Sequence, residues 1–181
     1  MKIVITQNIT LDGRIEMLDD WFDPATETPD LTEETRRQTE GEELLLLGRQ
    51  TFTDFRGYWP HQSGETADMV NGAAKGVITS TLTDPEWDTA TILGDDPVAV
   101  ARELREQPGG HACVTGSIQV SHALTRADLV DEYRLFVYPA WQGRGRSLFP
   151  EGEAPPQLEQ VRHVAFSGGV TFLALRPSSR P

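Results

Sequence analysis

For about 125 residues, short apolar runs alternate with helix-like stretches, and the chain then closes with two paired strands; that order implies an α/β fold with a mixed sheet flanked by helices. The first run, KIVITQNI (2–9), puts Ile3, Ile5 and Ile9 on one face and Val4 on the other, the period of a strand. Asp12-Gly13 follows as a turn. Residues 44–47 are four consecutive leucines, which suits a strand covered on both faces. Gly48 ends that run, and a helix is expected from Arg49 to about Phe55. Further strands are expected at 77–79, 91–93, 112–115 and 133–138, and helices near 64–71 and 117–125. Asp96-Pro97 is a helix start, Val98, Ala101 and Leu104 share its inner face, and Pro108-Gly109-Gly110 stops it. A glycine-rich loop carrying Arg144 and Arg146 leads to strands at 158–166 and 170–175, joined by the hairpin signal Ser167-Gly168-Gly169.

Residues 31–40 tolerate a helix, and Asp30 with Glu33 reads as a capping box. Leu31 is its only strong hydrophobe, so a mostly solvated helix is expected. Residues 16–30, 56–64 and 153–156 read as loops. With no repeat and no linker, residues 1–177 are expected to form a single domain, with 178–181 as a tail.

The net charge of -12 is concentrated early: twelve acidic and three basic side chains lie between Asp12 and Glu43. Such a surface repels nucleic acid and anionic membranes, so neither is expected as a partner. No stretch approaches the roughly 20 apolar residues of a membrane span, and the start lacks the apolar core of a signal peptide. The lone Cys113 sits in an apolar run and is expected to be a buried structural thiol; with the absence of a leader this points to the cytoplasm. His61, His111, His122 and His163 show no metal-ligand spacing, so no metal is expected. The dinucleotide fingerprint, the phosphate-binding P-loop and the esterase elbow are all missing.

Three segments share one design, an apolar strand running into a small or hydroxyl residue and then a helix or turn: 44–51, 77–82 and 113–120. Strand ends and helix starts offer free main-chain donors, and glycine lets a ligand approach closely. Thr51, Ser80, Thr81 and Ser117 add hydroxyl donors. Arg49 opposes the dipole of the helix it begins, so it is either a phosphate ligand or a surface arginine paired with a nearby carboxylate. Arg144 and Arg146 are loop arginines with the same two readings. Asp12 either polarises a substrate or orders a water, or simply shapes the turn before Gly13. Trp21, Tyr58 and Trp59 can stack on a flat heterocycle or pin their loops.

The blocks TLDGRI (10–15), LLLGRQTF (45–52), YWP (58–60), ITSTL (78–82), VTGSIQV (114–120), DLVDEYRLFVYP (128–139), GRGRSLFP (143–150) and SGGVTFLALRP (167–177) carry a resemblance through their order and spacing. The chain resembles the dihydrofolate reductase-like family, in particular the C-terminal reductase domain of riboflavin-biosynthesis deaminase–reductases, here as a stand-alone member. The resemblance implies a mixed, mainly parallel sheet of about eight strands with a C-terminal antiparallel hairpin, and NADPH laid across the strand ends. It implies that Gly48, Arg49 and Thr51 meet the cofactor phosphates and that Thr79, Ser80 and Thr81 surround the adenosine 2′-phosphate. Gly116, Ser117 and Ile118 would lie under the pyrophosphate and nicotinamide ribose. Asn8, Trp21, Tyr58 and Trp59 fall to the substrate, with Asp12 as the catalytic candidate. The implied activity is hydride transfer from NAD(P)H to a pteridine, pyrimidine or similar heterocycle, as in a 5-amino-6-(5-phosphoribosylamino)uracil reductase, and the implied state is a homodimer.

Two departures qualify this. Ser80 stands where relatives commonly carry a basic residue, which keeps NADH open beside NADPH. The acid that true dihydrofolate reductases carry in their first helix has only Glu33 or Glu34 as a counterpart, without a fixed register. A non-catalytic nucleotide-binding or regulatory protein that keeps the fold is therefore the alternative.

Overall fold

The strand that begins the chain, β1 (Lys2–Thr10), ends up near the middle of the sheet because both of its faces are apolar: Ile3, Val4 and Ile5 are all buried. The computed structural model describes residues 1–23, 28–152 and 157–178; Pro24, the expected loop at 153–156 and tail residues 179–181 lie outside them. After β1 come α1 (Pro29–Gln38), β2 (Glu42–Gly48), α2 (Arg49–Tyr58), a 3-10 turn (Trp59–His61), α3 (Glu65–Gly72) and β3 (Lys75–Ile78). The rest is β4 (Ala90–Gly94), α4 (Pro97–Glu106), β5 (His111–Val114), α5 (Ile118–Arg126), β6 (Glu132–Tyr138), β7 (Leu158–Ala165) and β8 (Thr171–Pro177). The eight strands form one sheet in the order β4-β3-β2-β5-β1-β6-β8-β7. The first six are parallel, and β8 and β7 join antiparallel as the expected hairpin.

One face of the sheet is covered by α4 and α5, whose Val100, Ala101, Leu104, Val120 and Leu124 pack on Ile3, Ile5, Leu46, Ala112 and Val114. Each fully buried leucine or isoleucine contributes roughly 1.5–3 kcal/mol from apolar area alone. The opposite face carries two separate clusters. Phe52 of α2 packs with Leu45, Leu47, Val77 and Cys113, and Leu31 of α1 packs with Phe136, Tyr138, Phe172 and Ala174. In the strand order, β1 lies between these clusters, so Thr6 and Asn8, which alternate with the core face of β1, floor the space between α1 and α2.

Three local expectations need correction. The Asp30–Glu33 capping box does not form: Thr28 precedes α1, Asp30 accepts from the Ser167 amide at 2.9 Å and hydroxyl at 3.1 Å, and Glu33 pairs with Arg36 at 2.7 Å. Asp30 keeps local bonds from the Thr28 hydroxyl and the Leu31 amide and adds a contact 137 residues away. Glu34 is buried rather than solvated because the Arg162 guanidinium of β7 meets both of its oxygens. The expected loop at 56–64 is instead the last turn of α2, a 3-10 turn and the approach to α3. Phe55 and Trp59, four apart with ring centroids at 6.0 Å, favour that helical continuation.

Candidate functional site

The parallel strands β3, β2 and β5 are neighbours and stop at one edge, where α2 and α5 begin. The two junctions are bonded to each other. The Gly48 amide donates to Ser117 Oγ at 3.0 Å, and the Ser117 amide donates to Thr51 Oγ1 at 2.8 Å. Gly116 has φ +60°, and a Cβ there would lie 2.8 Å from Thr51 Cγ2, so only glycine fits without displacement. Ser117, at φ 33°, continues the left-handed turn into α5.

Neither α2 nor α5 has a side-chain cap or an acidic residue in its first turn. Their first amides and positive dipole ends are left for another partner. The junction from β4 into α4 is built differently, since Asp96 Oδ1 accepts from the Val98 amide at 2.9 Å. Arg49 is exposed and makes no ion pair among the described residues, so the neighbouring carboxylate that its sequence context allowed is absent there.

At the end of β3, buried Thr79 ties its own turn, its hydroxyl accepting from the amides of Thr81 at 3.2 Å and Leu82 at 3.1 Å. Ser80 and Thr81 are exposed beside it. Gly48, Arg49, Thr51, Thr79, Ser80, Thr81, Gly116, Ser117 and Ile118 therefore come together along one sheet edge, from segments up to about 70 residues apart.

The next strand is β1. Its ladder with β5 stops at Ile5↔Val114, while its ladder with β6 runs on to Thr10↔Tyr138. The β5-facing edge of β1 is thus unpaired by strand beyond Ile5, and half-buried Asn8, whose carboxamide has no bond among the described residues, stands in that stretch. Sequence reasoning missed the residue that bridges the opening, Gln7. Its buried carboxamide donates to the Gly116 carbonyl at 2.8 Å and accepts from the Gly116 amide at 3.2 Å. The signal was available as the polar residue between Ile5 and Ile9 on the core face.

Asp12 lies beyond β1 with its carboxylate fully used. It accepts from the Thr10 hydroxyl at 2.6 Å, the Gln142 amide at 3.1 Å and the Gly143 amide at 2.8 Å, and Arg14 Nε is 3.6 Å away. The Thr10 hydroxyl bond and the two amides hold its carboxyl at about 2, against desolvation, which acts the other way. Gln142 also accepts from Trp21 Nε1 at 2.7 Å, and Trp21 meets Tyr138 edge-on at 5.4 Å, so Trp21 is joined to the same loop pair. Tyr58 and Trp59 are not brought to this edge. Ten residues of α2 carry them about 15 Å from Gly48, where they meet edge-to-face at 5.1 Å and Asn71 holds the Trp59 carbonyl.

Other charged candidates are also committed. Arg144 pairs with Asp19 and Arg146 with Glu16. Burial pushes the Glu34 carboxyl up, but the Arg162 bond and charge outweigh it and hold it below the usual carboxylate range. A concavity of about 490 Å³ opens at the opposite edge of the sheet, around His111, Arg134 and Arg176, but both arginines are already paired with Glu132.

An eight-stranded sheet of this order, six strands parallel and a hairpin returning antiparallel, is the dihydrofolate reductase-like fold. Within it, the chain belongs to the RibD C-terminal domain family, whose model matches residues 1–172. It is 25% identical over 179 residues to the uncharacterized protein YyaP of Bacillus subtilis (strain 168), covering 93% of this chain and 91% of that protein. A putative riboflavin biosynthesis protein from Shewanella sp. PV-4 superposes with a TM-score of 0.74 at 17% identity, covering 98% of this chain and 99% of the other. Dihydrofolate reductase from Enterococcus faecalis, complexed with NADP(H), superposes with a TM-score of 0.64 at 15% identity, over 98% and 97% of the two chains. At such identities the superpositions speak to the fold. No described helix is long and apolar enough to cross a membrane.

Proposed function

We propose that the edge formed by β3, β2 and β5 binds a nicotinamide dinucleotide. On this reading the protein is an NAD(P)H-dependent reductase of a pyrimidine, pteridine or similar flat heterocycle, of the 5-amino-6-(5-phosphoribosylamino)uracil reductase kind. The observation that carries this is the convergence of two uncapped helix starts, α2 and α5, bridged through Gly48, Thr51 and Ser117. Two positive helix ends at one place suit a diphosphate, and a chain of net charge -12 needs such a local site to hold an anion. Arg49, without an ion pair among the described residues, adds a full charge. Ser80 and Thr81 offer hydroxyls to a 2′-phosphate; with no base at Ser80, NADPH selectivity would rest on Arg49, and NADH is the alternative cofactor. The complex of the dihydrofolate reductase neighbour with NADP(H) supports this choice.

A bound dihydronicotinamide would supply the hydride. The chain's part is alignment, exclusion of water and compensation of charge. In this reading Asn8 orients the nicotinamide or the substrate with its free carboxamide. Asp12, ionised far below neutrality, is not itself the proton donor; it holds the 142–143 turn, and the proton reaches the substrate from water. Trp21 forms part of the wall on that side. The molecule works as a cytoplasmic homodimer on a small-molecule substrate.

A second reading, a nucleotide-binding protein without catalysis, draws on one observation: Asp12, Glu33 and Glu34 are all engaged by other groups, so none is a free acid. Titrating the fluorescence of the protein's four tryptophans with NADPH and NADH tests both. Saturable micromolar binding of NADPH is expected, and oxidation of NADPH with a panel of pyrimidines follows. No response to either dinucleotide at millimolar concentration overturns the site; binding without turnover on any heterocycle favours the second reading.

A further inference from the structure

Gln7 interrupts the apolar face of β1, 4% exposed between Ile5 and Ile9. A leucine or methionine would fill that position without burying a carboxamide, whose desolvation is costly unless both ends are bonded. Both ends are bonded, and to a single residue: Nε2 donates to the Gly116 carbonyl and Oε1 accepts from the Gly116 amide. This exchange takes over where the main-chain ladder between β1 and β5 stops, at Ile5↔Val114. The residue it grips begins the left-handed turn of Gly116 and Ser117 that aims α5. From the other side the same turn is held by Thr51, through the Ser117 amide, and by the Gly48 amide on Ser117 Oγ. With Thr51 and Gly48 alone the turn is fixed only against β2 and α2; Gln7 fixes it against β1, the strand that carries Asn8.

We propose that Gln7 is a positioning residue. Its carboxamide acts as the missing rung between β1 and β5 and sets the Gly116–Ser117 turn, and with it the α5 N-terminus, at the distance from Asn8 that a dinucleotide's diphosphate and nicotinamide require. The inference rests on the nucleotide reading above. It makes Gln7 matter for the diphosphate and nicotinamide half of the ligand and not for the adenine half, which a merely structural role would not do.

The test uses the whole protein and two probes, NADPH and adenosine 2′,5′-bisphosphate, which lacks the diphosphate bridge and the nicotinamide. Gln7→Met keeps the volume and removes both bonds. It is expected to weaken NADPH by about tenfold or more while leaving the bisphosphate within about twofold. Equal losses for both probes, or no loss for NADPH, overturn the proposal. Gln7→Glu is the second variant: ionised at roughly pH 8 it lacks the donor to the Gly116 carbonyl, and protonated at roughly pH 5.5 it regains one. NADPH affinity is expected to be weak at the higher pH and to return to within about threefold of the wild type at the lower, each against the wild type at that pH. Absence of that recovery also overturns it. A wild type that binds neither probe overturns the nucleotide reading itself, an outcome distinct from variants that bind like the wild type.

Discussion

The strand ends along one side of the sheet fall into two kinds. At the end of β4 the chain supplies its own anion, Asp96, to the start of α4, and at the end of β1 it supplies Asp12 to the amides of Gln142 and Gly143. At the ends of β2 and β5 it supplies none, although carboxylates are abundant elsewhere in the chain. A capping side chain contributes about 0.5–2 kcal/mol to a helix start. Two neighbouring junctions forgo it, and both are instead locked to one another by neutral groups. On the proposed reading, the difference teaches where an external anion would sit: the open ends are marked as much by the carboxylates that are missing as by the arginine that is present.

The sharpest way to break the comparison is to convert one kind of end into the other. Ser117→Asp gives α5 the anion that α4 already has and retains an acceptor for the Gly48 amide. NADPH affinity should fall by about a hundredfold or more, with the melting temperature unchanged or raised. Dinucleotide binding that survives this change would mean the open ends are not the phosphate site. Arg49→Ala should weaken NADPH by about tenfold, NADH by less, and stability by no more than about 0.5 kcal/mol, as read by parallel titrations and thermal melts. At the closed end, Asp96→Ala should cost about 1 kcal/mol in denaturant melts and leave both dinucleotide affinities unchanged.

The smallest effect concerns Asp12 and pH. Its carboxyl lies near 2 in the folded chain, below the ordinary 3.8. The unfolded chain therefore binds the proton more readily, and the stability that Asp12 contributes is complete above about pH 4 and lost as pH falls towards 2. Asp12→Asn should flatten that limb of a stability–pH curve; an unchanged limb would place the acid sensitivity elsewhere.

Much of the fold was legible because period and punctuation agree locally. The leucines at 44–47, the Asp96-Pro97 start and the Ser167-Gly168-Gly169 turn each specify an element on their own, and all appear close to where expected. The nine residues along the β3-β2-β5 edge were legible as strand-end segments, though only the resemblance gathered them into one site. What could not be read was any choice made between distant groups. Asp30 serves its own turn and also Ser167 far along the chain, and Gln7 looks like a misplaced polar residue until Gly116 is beside it. Tyr58 and Trp59 read as loop residues because the sequence does not show that α2 runs through Tyr58 into a 3-10 turn at Trp59.

The position of β1 has a consequence for the making of the protein. Residues 2–10 leave the ribosome about a hundred residues ahead of their strand partners, which begin only at His111 and Glu132. At roughly 5–20 residues per second, an apolar strand with two open edges waits on the order of ten seconds for its neighbours. Premature release or slowed translation in that interval exposes KIVITQNI to association with other chains, so the yield of native protein should depend on chaperone supply more strongly than its final stability would suggest.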